Sequence, residues 1–468
     1  MAKLFETIRR SGWPHITLIL ITAVASFARF IGVTKSPPGF YIDEAAISAQ
    51  VLCFQQSGAN LQGESWPLFT EVLGGGYLTP AYLYPAVAWV SLFGGSIESF
   101  RLFTAFFSLI FLAGVFVFAK RIWQSSDAAW LATLAAAISP WVFQFARIAW
   151  DPALAPAYLV WAFAALWGKR RWELALSGVL FALAAYSYPP LRVQIALTLP
   201  CAIGVLLWRT RSWRPYLLTI GTALVTSLPL LQLTLSGAIQ GRFAMLSVFN
   251  PHYLLETYGE ATFFQGALAL LKNLKLLLSP SYLFISGDAN LRHSTGAFGV
   301  WSWLDSLAGL AAVVLALVMF RKRQLSKGSL YPAVLILTGY LAGILPAAMT
   351  WESNPHALRS LGAALFLAIG TGGLLGYLWQ RYLKFRPALL AVATVFFILF
   401  LREYFASYPE RVGPWFDSSV TETASTLASE ERLEDLKQTL QSRGITYDEM
   451  AVSYYELYYG TRQCQSAR

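Results

Sequence analysis

Long apolar stretches alternate along the chain with short, mostly basic polar ones. Strong apolar runs lie near residues 15–33, 101–119, 128–146, 150–167, 172–190, 191–208, 216–235, 299–320, 331–349, 358–377 and 386–402. A bilayer is crossed by about 20 apolar residues, with a lower limit of about 17. The pattern therefore predicts an all-α polytopic membrane protein with about eleven transmembrane helices.

A further run, "YLTPAYLYPAVAWVSLFGG" at 77–95, is apolar enough to cross, but Pro80 and Pro85 suit a broken helix, and we read it as an interfacial or re-entrant element. With that reading, the clusters "AKRIW", "GKRRW", "WRTRSWR", "FRKRQLSKG" and "QRYLKFR" all fall on the cytoplasmic side together with the N-terminus. This is what the excess of Lys and Arg in cytoplasmic loops requires. The first run follows Lys3, Arg9 and Arg10, yet it is too long for a signal-peptide core and leads into "KSPPGFYIDE" rather than a small-residue cleavage site, so it is read as a retained span. Residues 34–100 and 236–298 become long outer loops, a length that predicts functional segments with helices of their own. Beyond the last run the chain turns acidic and polar, with helical spacing in "TASTLASEERLEDLKQTLQSRG". The expected organisation is a membrane catalytic domain over 1–402 and a short outer-side appendage over 403–468.

Composition supports the membrane reading: of 468 residues, 56% are hydrophobic, 15% aromatic and only 13% charged, whereas a soluble domain carries about 25% charged residues. The net charge of +10 sits in the clusters between apolar runs, so the bilayer accounts for it and no nucleic-acid partner is needed. The 3 cysteines, Cys53, Cys201 and Cys464, have no metal-type spacing, and their odd number excludes a fully paired framework; Cys53 and Cys464 are a pair that can meet outside the membrane. No internal repeat is visible.

As drawn, no predicted span carries Asp, Glu, Lys or Arg near its middle, where an ion-coupled pump keeps such groups. The charges gather in outer segments instead. In "SPPGFYIDEAAISAQ" the prolines fix an extended approach to a helix that starts at Asp43. Asp43 is then either an N-cap followed by Glu44 as a first-turn acid, worth about 0.5–2 kcal/mol for the cap, or a carboxylate that acts on substrate; capping and catalysis can coexist. "LPAAMTWESNPHALRS" brings Glu352, His356 and Arg359 close together, and reads equally as an interfacial turn broken by Pro346 and Pro355. In "SGDANLRHS", Asp288, Asn290 and Arg292 can close a self-satisfied turn. In "ARIAWDP", Arg147 and Asp151 stand at the spacing of a helical ion pair, or touch substrate.

These stretches, with "FGGSIESFRL" and "YSYPPLRVQ" between them, resemble the GT-C superfamily of membrane glycosyltransferases that use polyprenyl-phosphate sugars, in the bacterial branch of protein O-mannosyltransferases and lipid A aminoarabinose transferases. The resemblance covers roughly residues 15–410. It implies a GT-C-type bundle with interfacial helices in the first outer loop, a catalytic base at Asp43, and Glu44 in a supporting part of the same site. It also implies a polyprenyl-phosphate sugar donor, a glycan, lipid or protein acceptor, and an active site and C-terminus on the non-cytoplasmic face of a bacterial plasma membrane.

The chemistry needs few groups. A sugar linked through C1 to a lipid phosphate already has its leaving group, so the acceptor hydroxyl needs only a base as it attacks, and a single in-line displacement inverts the anomeric carbon. The departing phosphate gathers negative charge that cations stabilise. His356 and Arg359 are favoured for this, then Arg101, with Arg147, Arg192 and Lys272 also available, while Asp151, Asp288, Arg292 and Glu352 are expected to line the substrate pocket. Asp43, Glu44 and Asp288 offer oxygen ligands to a divalent metal, but no metal-specific spacing is present, so no metal and no cofactor are expected. A transporter or flippase for lipid-linked sugars is the alternative; it explains the spans and the outer cations but not the absence of mid-membrane ionisable groups. A non-catalytic scaffold whose outer loops bind a partner is a third reading.

Overall fold

The computed structural model describes residues 12–72, 76–237, 240–322 and 327–460. These are almost wholly helical; the strands are a two-stranded antiparallel ribbon, Thr70–Val72 with Gly76–Leu78. Among the described residues, 8 helices are long and apolar enough to cross a membrane: Trp13–Phe30, Ile97–Trp123, Pro189–Thr210, Tyr216–Leu235, Phe263–Ile285, Leu330–Ala348, Ala363–Arg381 and Phe385–Phe416. Shorter apolar helices at Ser126–Ile138, Asp151–Leu166 and Trp303–Val314 fall on further predicted runs. The all-α polytopic expectation holds.

Three segments differ from the sequence reading. The run 128–146 is broken between Ser126–Ile138 and Pro140–Phe145, because Pro140 has no N–H to donate and drives Ser139 into the extended region, at ψ 123°. The run 77–95 is not broken at Pro85 but forms one 14-residue helix, Pro80–Phe93, whose length, too short to cross, agrees with its reading as a non-crossing element. Residues 236–298 were expected to be loop but contain Phe263–Ile285, a 23-residue helix within the crossing range. Lys272, Asn273 and Lys275 interrupt its apolar run and hide it in the sequence; Lys272 and Lys275 are exposed, whereas Asn273 is buried and donates to the carbonyls of Ala348 and Thr350.

The chain divides into two compact units. One comprises Met1–Arg29, Ser108–Gln144 and Ala155–Leu401. In it, Ala363–Arg381 packs along the alanine-rich helix Ser126–Ile138. The approach is so close that a Cβ at Gly372 would stand 2.4 Å from the Cβ of Ala132, and one at Gly376 would stand 2.7 Å from the Cα of Ala128. Small residues four apart on both helices give van der Waals contact where lipid offers no hydrophobic drive. Polar groups close the same core: Trp123 Nε1 donates to the Ile369 carbonyl at 2.9 Å, and the buried Asp305 carboxylate accepts from Thr371 Oγ1 at 2.7 Å and Ser302 Oγ at 2.6 Å.

The other unit comprises Phe30–Phe107, Phe145–Leu154 and Arg402–Arg468. The residues after 402, expected as an outer-side appendage, share a compact unit with the first loop. Buried Val420, Ala424 and Leu427 recur at helical spacing on Ser418–Ser429, and Val452 and Tyr455 do so on Glu449–Tyr459, which packs on the helix Ile42–Ser57. Gly39, at φ +79°, lets the loop pass against this segment: a Cβ there would stand 2.2 Å from the Phe416 carbonyl oxygen. Cys53 is disulfide-bonded and Cys201 is a free thiol; Cys464 lies outside the described residues.

Candidate active site

The stretch 31–41 turns over 31–35 and then runs without regular structure into the helix Ile42–Ser57, and Pro37 and Pro38 have no N–H to pair there. Its carbonyls still need donors, and two buried arginines supply them. Arg101 Nη1 donates to the carbonyls of Val33 and Pro37 at 2.9 and 2.7 Å, and Nη2 to that of Gly39 at 2.8 Å. Arg147 donates from Nη2 to Ile31 and Gly32, at 2.8 and 3.0 Å, and from Nε and Nη2 to Ser36, at 3.1 and 2.8 Å. Burial draws the Arg147 pKa down, and the Tyr404 ring beside it acts the other way.

Glu44 completes the clamp. Its Oε1 accepts from Arg101 Nε at 2.9 Å and from the Ala149 N–H at 2.8 Å; its Oε2 accepts from Arg101 Nη2 at 2.7 Å and from the Tyr41 N–H at 3.2 Å. Asp43 is not the N-cap that the sequence allowed: Tyr41 holds that position, and the first helical N–H, that of Ile42, donates to Asp417 Oδ2 at 3.1 Å. The helix start is therefore fixed by Glu44 from within and by Asp417 from the C-terminal segment. Asp43 is left half-buried in the first turn, beside a Glu44 that is fully buried.

Arg101 has five N–H donors, and all are used on Glu44 and these carbonyls. It has none for a phosphate, which corrects its assignment as a phosphate ligand and makes it a positioning residue. The Nε and Nη2 of Arg147 are likewise committed. Asp151 opens the short turn Asp151–Leu154. Tyr82, on Pro80–Phe93, was not anticipated: its hydroxyl is buried without a hydrogen-bond partner among the described residues. Burial first, then the charges of Asp151 and Glu44, push its pKa well above the tyrosine range, so it stays a protonated donor.

The remaining candidates lie in the bundle unit. Asp288 and Asn290 form successive Asx turns, Asp288 Oδ1 accepting from the Asn290 N–H at 2.9 Å and Asn290 Oδ1 from the Arg292 N–H at 3.0 Å, so the self-satisfied turn is real. It presents Asp288 Oδ2 to His293 Nδ1 at 2.8 Å and to the Ala357 N–H at 2.8 Å. His293 and His356 face each other with ring centroids 4.5 Å apart. Burial lowers the pKa of both; for His293 the Asp288 carboxylate opposes this, and for His356 the neighbouring His293, Arg359 and Arg292 add to it. His293 stands in the outer stretch "SGDANLRHS" but has no site role in the sequence reading, although an Asp five residues before a His in a turn is a readable signal. Arg359 braces its own loop, donating to Thr350 Oγ1 at 2.9 Å and Glu352 Oε2 at 2.8 Å. Arg192 donates to the Ala185 carbonyl at 3.0 Å, and Lys272 lies exposed on Phe263–Leu277.

No protein-family model matches the chain, and no curated protein matches its sequence. Among solved structures it is similar to ArnT from Cupriavidus metallidurans bound to undecaprenyl phosphate, with 14% identity over 94% of this chain and 75% of that one, at a TM-score of 0.50. It also aligns with the archaeal oligosaccharyltransferase AglB from Archaeoglobus fulgidus in complex with an inhibitory peptide and a dolichol-phosphate, with 12% identity over 91% of this chain and 59% of that one, at a TM-score of 0.47. The likeness to ArnT, at this identity, is one of fold.

Proposed function

We propose that the chain is a membrane glycosyltransferase that moves a sugar from a polyprenyl-phosphate donor to an acceptor hydroxyl, with inversion, on the non-cytoplasmic face of a bacterial plasma membrane. Asp43 takes the proton from the acceptor as the hydroxyl attacks C1, and the lipid phosphate leaves. The observation that supports this reading is the division of labour between adjacent carboxylates. Glu44 is saturated by four hydrogen bonds and holds the helix start, while Asp43 keeps partial exposure on a first turn that cannot move freely. A base works only where its position is fixed relative to the reacting atom, and this clamp fixes it.

Arg101 is committed to Glu44 and the carbonyls before it, so it is not assigned to the leaving phosphate and serves to hold the helix start that carries the base. No metal is assigned to the transfer step. Purified protein supplied with labelled undecaprenyl-phosphate sugars should transfer label to an acceptor hydroxyl, and Asp43→Asn should lower the rate by about 100-fold or more with unfolding unchanged. Transfer by Asp43→Asn at the wild-type rate removes Asp43 as the base. Movement of the labelled lipid across proteoliposomes without sugar transfer favours the transport reading instead.

A further inference from the structure

Asp288, His293 and His356 each bring a ligand atom to within 4.8 Å of the others, and all three residues are buried. We propose that these three side chains form a binding site for one divalent transition-metal ion of the zinc class, held by a carboxylate oxygen and two imidazole nitrogens.

The donor set selects the metal. Two imidazoles and one carboxylate suit zinc and its neighbours, whereas magnesium and calcium call for oxygen ligands throughout. Ligand atoms on one zinc ion, at bonds of about 2.0–2.1 Å, lie about 3.3 Å apart in a tetrahedron. Asp288 Oδ2 and His293 Nδ1, at 2.8 Å, are already nearer than that, and the two imidazole rings stand face to face at 4.5 Å with a tilt of 31°. Closing the set requires side-chain rotations that bring ligand atoms now within 4.8 Å of one another to about 3.3 Å.

The groups around the ligands are those a metal site needs. Asp288 is oriented by the N–H groups of Asn290 and Ala357. Two guanidiniums are near, but Arg359 is paired with Glu352 at 2.8 Å, and Asp288 offsets half the charge of a divalent ion. Arg292 then favours an anionic oxygen or water in the remaining coordination position. The ion would tie the turn 286–296 to the segment 350–361, two stretches joined here by the Ala357 N–H to Asp288 contact. A bound metal would thus brace a loop, independently of whether sugar transfer is the activity.

The test uses tag-free, full-length protein in detergent, stripped with a chelator and then titrated with Zn²⁺ and, separately, Co²⁺. The expected result is one equivalent bound per chain, a tetrahedral-type Co²⁺ visible spectrum, a rise in the unfolding midpoint with Zn²⁺, and no competition from excess Mg²⁺. His293→Ala and His356→Ala should each weaken binding by more than the about 10–100-fold that loss of a supporting partner costs. Absence of stoichiometric binding to the wild-type chain, or wild-type affinity in both variants, overturns the proposal. Because the wild-type titration decides by itself, a variant that misfolds does not rescue it. Sugar transfer enters neither readout, so a failed transferase assay leaves this result standing.

Discussion

The guanidinium of Arg101 grips both oxygens of Glu44, Nε to Oε1 at 2.9 Å and Nη2 to Oε2 at 2.7 Å, with both side chains wholly removed from solvent. A buried pair is worth little relative to apolar residues of the same shape, but removing one partner leaves a stranded charge, at a cost of about 3–5 kcal/mol. Arg101→Met and Glu44→Gln alone are each expected to lower unfolding stability by about that amount in detergent, and the double variant by less than the sum. Additive losses would show that the two residues do not act as a unit.

Gly372 and Gly376 allow one helix to touch the backbone of another. A side chain at either position meets Ala128 or Ala132 at well below contact distance, and the partner helix has no flexible atom there to move aside. Gly376→Val is therefore expected to cost about 1–3 kcal/mol or more, and Gly376→Ala a smaller part of that. Thermal unfolding of the purified variants decides it; wild-type stability in Gly376→Val would mean that the helices do not approach as closely as described.

The spans were readable in the sequence because apolar length is a local property, and the break at Pro140 was lost only because composition does not register a missing donor. Phe263–Ile285 escaped because Lys272 and Lys275 lower the average while the buried face, which includes Asn273, carries the packing. Asp43 and Glu44 stood out as acids in an apolar chain, but their different duties did not. Those duties are set by Arg101, Ala149 and Asp417, whose proximity exists only in the fold. For the same reason Arg101 passed for a phosphate ligand: its positive charge is visible in sequence, whereas the carbonyls that consume its donors are not.

Tyr82 offers a different test, since its buried hydroxyl has no hydrogen-bond partner among the described residues and stands within the fields of Asp151 and Glu44. An unsatisfied buried hydroxyl costs about 1–3 kcal/mol of desolvation. Tyr82→Phe is thus expected to leave stability unchanged or raise it by about 1 kcal/mol. If the hydroxyl serves an incoming substrate group, the same variant lowers sugar transfer while stability holds; a clear loss of stability would show that the hydroxyl does have a structural partner.

Asp417 reaches from the C-terminal segment to cap a helix that begins at Ile42, and Asp43 is the next residue. Tyr455 hydrogen-bonds the Phe40 carbonyl on the same approach, so the tail holds the backbone on either side of Tyr41. Losing a cap costs about 0.5–2 kcal/mol, but Asp417 sits at φ 50°, and an alanine there would add strain of its own. The informative pair is therefore Asp417→Gly, which suits the backbone and removes the acceptor, and Asp417→Asn, which keeps both an acceptor oxygen and tolerance of the left-handed region. If the cap positions Asp43, Asp417→Gly lowers kcat for sugar transfer with little change in donor KM, and Asp417→Asn restores most of it. Equal rates in the two variants would leave the tail a purely structural part of this unit, because the one atom that distinguishes them in this contact is the acceptor facing Ile42.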